Sequence, residues 1–225
     1  MRMEWDQDTK RLYEAGVDRV ALSVVGPTGY GKCVPWNGIT KIDDKPSGAE
    51  ITKKYANNNE YAALQSKEKA ALTIEAYTHP DEFYPCNGMK MIGSGLFIHQ
   101  QTRSKFGLVY RNLIGNDTEG TDHGSKYHVV YGCLAKPSEV SHETVNEDMD
   151  ISPMSWEVDA AAPSYAPEGF KPSALYTIDS TKCTEAQLKA FEDLVYGSEK
   201  SEPTFPTPDQ LVQMFPAGAV TPAEG

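Results

Sequence analysis

Gly26-Pro27-Thr28-Gly29-Tyr30-Gly31-Lys32-Cys33 has the G-x-x-x-x-G-K spacing of a loop that cradles nucleotide phosphates, and it follows an apolar run, Val20 to Val25. That chemistry needs a hydroxyl after the lysine to ligate magnesium. It also needs a helix opening at Gly31-Lys32, whose N–H groups hold the phosphates. Cys33 stands in place of the hydroxyl, and Val34-Pro35-Trp36-Asn37-Gly38 breaks a helix at once. A hairpin or surface loop is expected over Gly26 to Cys33, with a nucleotide-binding protein as the alternative. A second group, Asp117, Glu119, Asp122, His123 and His128, has the donor types for a divalent cation. Its spacing is not that of an EF-hand. A solvated turn is expected there, with a β-sandwich ligand- or metal-binding module as the alternative.

Nothing else in the chain spells out a reaction centre. No G-x-S-x-G elbow occurs. Cys33, Cys86, Cys133 and Cys183 are scattered with no C-x-x-C pair and read as free thiols of a reducing compartment. The five histidines form no dyad by spacing, and Asp43-Asp44 and Asp81-Glu82 read as turn and surface pairs. The expectation is a non-enzymatic chain without cofactor or metal.

Charge narrows the partners. The net charge is −11, and it is uneven: residues 1–138 carry +1 and residues 139–225 carry −12. Such a chain is poorly suited to gripping DNA, because duplex affinity comes mainly from basic side chains releasing counterions. The opening MRMEWDQDTKRLYE is charged and has no apolar h-region, which predicts a protein made and kept in a cytosol. No stretch is long and apolar enough to predict a membrane span.

The elements that would position these residues are mostly strands. Alternating segments recur at Val20 to Val25, Ile39 to Ile42, Glu50 to Tyr55, Tyr61 to Leu64, Ala71 to Tyr77, Leu96 to Gln101, Phe106 to Leu113, Tyr127 to Leu134, Met154 to Val158 and Ser173 to Ile178. Turn signals such as Gly93-Ser94-Gly95 and Ala135-Lys136-Pro137 separate most of them. Roughly ten short strands predict a mainly β fold, a sandwich or partial barrel. Trp36, Phe106, Tyr131 and Trp156 lie in or beside these patterns and are expected in the core. Asn57-Asn58-Asn59 interrupts two strand-like runs and predicts a hairpin tip. Lys53, Lys54, Asn57, Asn58, Asn59 and Glu60 are the candidate contact residues of that hairpin.

Two helices are predicted. Thr184-Glu185-Ala186-Gln187 has the form of a capping box, Leu188, Phe191, Leu194 and Val195 share one helical face, and Gly197 follows. This gives one packed helix over 184–196, closing a β-rich unit of residues 1–197 that begins with an N-terminal arm. Residues 198–225 hold five prolines and read as a C-terminal arm. Thr207-Pro208-Asp209-Gln210 starts a short helix near 208–215 with proline at its first position. Pro208, Leu211, Val212, Met214 and Phe215 group apolar surface, so this arm is expected to dock on a neighbouring subunit.

A set of short runs then aligns in order. They are Trp36-Asn37-Gly38-Ile39-Thr40, Pro46-Ser47-Gly48-Ala49-Glu50, Thr73-Ile74-Glu75-Ala76-Tyr77-Thr78, Pro80-Asp81-Glu82-Phe83 and Phe106-Gly107-Leu108. They continue with Ile114-Gly115-Asn116-Asp117, Asp122-His123-Gly124, Leu134-Ala135-Lys136-Pro137-Ser138, Ser155-Trp156-Glu157, Ile178-Asp179-Ser180-Thr181 and Phe205-Pro206-Thr207-Pro208-Asp209-Gln210. Over roughly residues 4–216 the chain resembles the major tail (tube) protein family of long, non-contractile-tailed bacteriophages of Gram-positive hosts. The resemblance implies two β-sheets flanked by a helix. It implies homohexameric rings, joined sheet edge to sheet edge and stacked into a tube, in a virion assembled in the host bacterial cytoplasm. It implies a tape-measure protein inside the tube, tail terminator and distal tail proteins at its ends, and transient passage of double-stranded DNA during genome ejection. Lys53 and Lys54 are then expected to point away from the channel or to pair with acidic partners, and the wall to be neutral or net negative.

Overall fold

The computed structural model describes residues 3, 5–142, 144 and 151–216. In chain order the strands are β1 (Tyr13–Gly26), β2 (Gly29–Tyr30), β3 (Val34–Pro35), β4 (Ile39–Asp44), β5 (Ile51–Ala56), β6 (Asn59–Gln65) and β7 (Ala70–Ala76). They continue with β8 (Lys90–Gly93), β9 (Leu96–Ile98), β10 (Phe106–Asn116), β11 (Gly120–Ala135), β12 (Met154–Ala160) and β13 (Leu175–Asp179), followed by helices α1 (Glu185–Tyr196) and α2 (Pro208–Met214). The fold is mainly β, as the alternation predicts, and each run read as a strand overlaps one. β2, β3 and β8 were not foreseen. β2 and β3 are two residues long, too short to show a period, and β8 is four residues long.

The main sheet has the order β2-β1-β10-β11-β12-β7-β4, and its ends do not meet to close a barrel. β11 belongs to two layers. Its residues Lys126 to Val130 pair with β13, while Leu134 and Ala135 pair with β12. Between them Gly132 takes φ +59, and a Cβ there would lie 2.5 Å from the Ala161 carbonyl oxygen. A side chain would thus oppose both the turn and the close approach that let one strand leave its first sheet and enter the second.

Two cores result. The first lies between the layers and contains Leu22, Trp36, Ile74, Phe83, Leu108 and Trp156. The second lies between the other face of β1-β10-β11 and the helices, and contains Ala21, Val109, Tyr127, Val129, Phe191 and Phe205. β10 therefore buries alternate residues on opposite sides. Strands covered on both faces read as continuous apolar runs, and Phe106-Gly107-Leu108-Val109-Tyr110 is buried throughout. The four aromatic residues expected in the core are all there.

Both helices start where predicted. Thr184 and Gln187 form a capping box on α1, and Thr207 and Gln210 form another on α2, with Pro208 in its first turn. α1 is held to the sheet by polar links as well as by Phe191 and Val195. Arg19 Nη1 lies 2.8 Å from Glu192 Oε1, the Tyr127 hydroxyl donates to the same carboxylate, and Tyr196 Oη donates to the Arg19 carbonyl at 3.0 Å. Arg111 grips Asp18 along one edge of its guanidinium, Nε donating to Oδ1 at 2.7 Å and Nη2 to Oδ2 at 2.5 Å.

The C-terminal arm lies on its own chain. Phe205 sits flat over Gly107, where a Cβ would come within 2.3 Å of the ring. It stacks on Tyr30 with centroids 4.4 Å apart and meets the edge of Tyr131. Tyr131 Oη donates to the Pro206 carbonyl at 3.1 Å. Pro208 and Leu211 are buried, and Met214 and Phe215 pack against the second core. Within the single chain, α1 and the sheet supply a surface for the arm that was expected to dock on a neighbouring subunit. The arm follows α1 after a short loop, so docking within the chain costs little closure entropy. Val212 alone of the five expected docking residues stays well exposed. The last residues of the arm, 217–225, lie outside the described residues.

Candidate self-assembly site

The glycine-lysine loop is a hairpin. β1 and β2 pair Gly26 with Gly29 across Pro27-Thr28, and β3 follows in place of a helix. Lys32 Nζ bonds Glu202 Oε2 at 2.9 Å, and Cys33 is buried. Burial pushes the Cys33 thiol up to about 12, so it stays protonated. The phosphate-cradling helix start that the nucleotide-binding alternative requires after Lys32 is replaced by strand β3.

The acidic and histidine group is not assembled either. Asn116 Oδ1 accepts from the N–H groups of Thr118 and Glu119, closing the β10–β11 turn. His123 Nδ1 lies 2.7 Å from Glu119, and Asp117 accepts from the Thr9 N–H at 3.0 Å. His128 is elsewhere: it is buried on β11, stacked on Tyr110 with centroids 4.6 Å apart. Among the described residues no three His, Cys, Asp or Glu side chains come together in a way that could hold a metal ion. One shallow cleft of about 410 Å³ lies beneath α1, and it is lined mainly by apolar residues such as Val20, Val34, Pro35 and Val195.

What the chain does present is unpaired strand and uncovered apolar surface. β4 ends the main sheet, and among the described residues β7 is the strand that pairs with it. Such an edge is a template for another strand. The outward side of the β12-β7-β4 layer alternates with the core-facing Trp156, Val158, Leu72 and Ile74. It carries Lys41, Asp43, Glu75, Glu157 and Asp159, with Lys136 beside it. Both lysines are neutralised locally: Lys41 pairs with Asp43 at 2.7 Å, and Lys136 with Asp159 at 2.8 Å. With four carboxylates and two lysines, this face is net negative and offers phosphate no free cation.

β5 and β6 continue the β4–β7 pair beyond the body. The joint is carried by Lys45 N–H to Ala71 O at 2.8 Å, a Ser47–Lys69 bridge and Ser66 N–H to Glu50 O at 3.0 Å. Asn57 and Asn58 form the tip, with φ of 50° and 63°, as a two-residue turn with both central residues left-handed requires. Asn59 is the first residue of β6. Lys53 Nζ bonds Glu60 Oε2 at 2.7 Å, while the Lys54 side chain has no ion pair among the described residues. Ile51, Tyr55, Tyr61 and Leu64 are all strongly exposed on this hairpin. A lone two-stranded hairpin is marginal in water, so these side chains contribute little to holding it together.

A second exposed hairpin escaped the sequence reading. β8 and β9 pair around Gly93-Ser94-Gly95 and expose Met91, Ile92, Leu96 and Ile98. Their base is anchored. Phe83 and Cys86 enter the first core, Tyr84 packs on Phe97 with centroids 4.5 Å apart, and Trp36 Nε1 donates to the Thr78 carbonyl at 2.8 Å. The available signal was the apolar pair Met91-Ile92 mirrored by Leu96-Phe97-Ile98 across a Gly-Ser-Gly turn.

No family model matches the chain, and no curated protein matches it. Among solved structures, it overlaps a chain of the sheath/tube terminator of PVC, an extracellular contractile injection system, in the extended state. The identity is 11%, the TM-score is 0.35, and the overlap covers 79% of this chain and 99% of that one. A chain of the anti-feeding prophage (AFP) baseplate overlaps with 7% identity and a TM-score of 0.35, over 78% and 97% of the two chains. A chain of the extended PVC sheath-tube complex overlaps with 15% identity and a TM-score of 0.32, over 78% and 93%.

Proposed function

We propose that this chain is a structural tail-tube subunit that polymerises with copies of itself. The single observation that carries the reading is the open β12-β7-β4 layer. Among the described residues it ends on β4, which is paired on one side alone, and it turns a net-negative face outward. Pairing such edges between copies satisfies their N–H and C=O groups, and a head-to-tail contact that closes makes a ring. The outward face of β12-β7-β4 then becomes the wall of a channel. Its carboxylates and neutralised lysines let DNA slide past without adhering. The ordered motifs shared with major tail proteins support the same reading.

In finer form, six copies close each ring and rings stack into the tail tube of a virion assembled in the host cytoplasm. A tape-measure protein occupies the tube until genome ejection, and tail terminator and distal tail proteins cap it. The sequence resemblance points to the long non-contractile tails of phages that infect Gram-positive hosts. Negative-stain imaging and size-exclusion chromatography of the purified chain test the proposal. Rings or tubes are expected, with a central channel. A chain that stays monomeric at millimolar concentration, even when seeded with tail fragments, overturns it.

A further inference from the structure

His128 alternates along β11 with Tyr127 and Val129, which face the helices, so it faces the gap between the two layers. There its ring lies on Tyr110, tilted by 16°. Its Nδ1 meets Thr177 Oγ1 of β13 at 3.2 Å. Its Nε2 is buried and has no hydrogen-bond partner among the described residues. A neutral imidazole carries one ring proton. A second proton makes both nitrogens donors, and Nε2 then has nothing to donate to. A buried cation in that position is costly.

The Tyr110 ring under His128 also ties the layers together. Tyr110 belongs to β10, and its hydroxyl donates to Asp44 Oδ1 at 3.0 Å. Asp44 is the last residue of β4. It sits opposite Leu72, as Ile42 sits opposite Ile74, so it shares the core-facing side of that layer. Among the described residues β4 has a strand on one side alone, so this cross-layer bond and the packing of Ile42 help to hold its end down. The groups that face the imidazole come from every strand around it: Asp44 from β4, Glu14 from β1, Lys126 from β11 itself, the Tyr110 hydroxyl from β10 and the Thr177 hydroxyl from β13. The two carboxylates favour a proton on His128, and Lys126, which is paired with Glu14, opposes it. Burial outweighs the carboxylates, so the closed arrangement keeps His128 neutral.

We propose that His128 is a proton-operated latch on the edge strand β4. Neutral, it leaves Tyr110 bonded to Asp44 and the edge in place. Protonated, it leaves the gap for water, the stack that positions Tyr110 is lost, and the end of β4 is freed. The open form takes up its proton at the ordinary 6.5, the closed form only at lower pH. Opening therefore grows as pH falls below 6.5, by up to about tenfold for each pH unit, and levels off below the closed-form value. The latch belongs to the single chain. Its use in controlling assembly rests on the tail-tube reading, in which β4 is an edge that meets the next copy. On that reading neutral medium favours growth and acid opposes it.

Hydrogen exchange in the isolated subunit, corrected for the intrinsic effect of pH, tests the latch. Between about pH 7.5 and about pH 5.5, exchange in β4 should rise by up to about tenfold while β10 and β11 stay protected. His128→Gln should abolish the rise. Tyr110→Phe should open β4 at both pH values and keep the rise. Asp44→Asn keeps an acceptor for Tyr110 but removes a charge that attracts the proton, so its rise should continue to lower pH than in the parent. Equal acceleration in β4, β10 and β11, or a rise that survives in His128→Gln, overturns the latch. The critical concentration for assembly, followed by light scattering, should rise over the same interval in the parent and stay level in His128→Gln. Assembly that ignores pH while β4 opens overturns the control of assembly and leaves the latch standing. Failure of the unmodified chain to assemble at neutral pH overturns the tail-tube reading, and the exchange result still decides the latch.

Discussion

Two segments of this chain advertise apolar residues outside the strand core, and the structure treats them in opposite ways. The arm from Ser198 to Pro216 folds back on its own body: Phe205, Pro206, Pro208 and Leu211 are buried, and the capped helix α2 lies against α1. The β5–β6 hairpin carries four large apolar side chains, Ile51, Tyr55, Tyr61 and Leu64, and buries none of them. The arm has one apolar face, two aromatic anchors and a short tether, so a single pose satisfies it. The hairpin distributes Ile51, Tyr55, Tyr61 and Leu64 over a two-stranded ribbon that extends past the sheet, where no part of its own chain covers it. Grouped apolar residues therefore mark an interface only where the fold cannot reach back to cover them.

The sharpest way to break this contrast is to truncate an anchor of each segment. Phe205→Ala should cost about 3–5 kcal/mol of unfolding free energy, since it empties a buried ring site. Denaturant titration of the isolated subunit would show it. A loss under about 1 kcal/mol would mean that the arm is not part of the core. Gly107→Ala attacks the same contact from the sheet side by pushing the Phe205 ring off its seat. Overpacking of this kind typically costs about 1–3 kcal/mol, read in the same titration.

Acid should separate the body from the hairpin as well. Burial, the largest influence, holds His128 below its ordinary 6.5; Asp44 and Glu14 act to raise it and Lys126 to lower it. The unfolded chain takes up the proton first as pH falls. This part of the stability is fully present above 6.5 and is lost as pH drops from there through the folded value. Asp18, held below 3.8 chiefly by its hydrogen bond from Arg111, acts only in a more acidic window. Unfolding measured at pH 7.5 and 5.5 should therefore show a loss in the parent that shrinks in His128→Gln.

The smallest effect is expected at the hairpin itself. Tyr61→Ser should move subunit stability by no more than about 0.5 kcal/mol, as exposed substitutions generally do. Its consequence should appear in assembly, as slower tube growth followed by light scattering. A large loss of subunit stability would mean that Tyr61 is packed on its own chain.

Much of the local structure was legible in the residues. Alternation located β1, β4 to β7 and β9 to β13, because a half-buried strand repeats every two residues. Thr184 with Gln187 and Thr207 with Gln210 announced both helices, since capping is chemistry between near neighbours. Asn57-Asn58 announced a turn that needs two left-handed residues. The failed lysine loop was legible too, from Pro35 and Cys33.

Long-range choices were not. That β11 bends at Gly132 to serve two layers, that β10 is buried on both faces, and that Gly107 is the floor for Phe205 all depend on residues far away in sequence. Lys32 finds Glu202 and Arg19 finds Glu192 only once the sheet has brought them together. Whether an apolar residue belongs to the core or to a partner was the same kind of question. Spacing sets which face a side chain shares with its neighbours; the assembled fold alone decides what lies opposite that face.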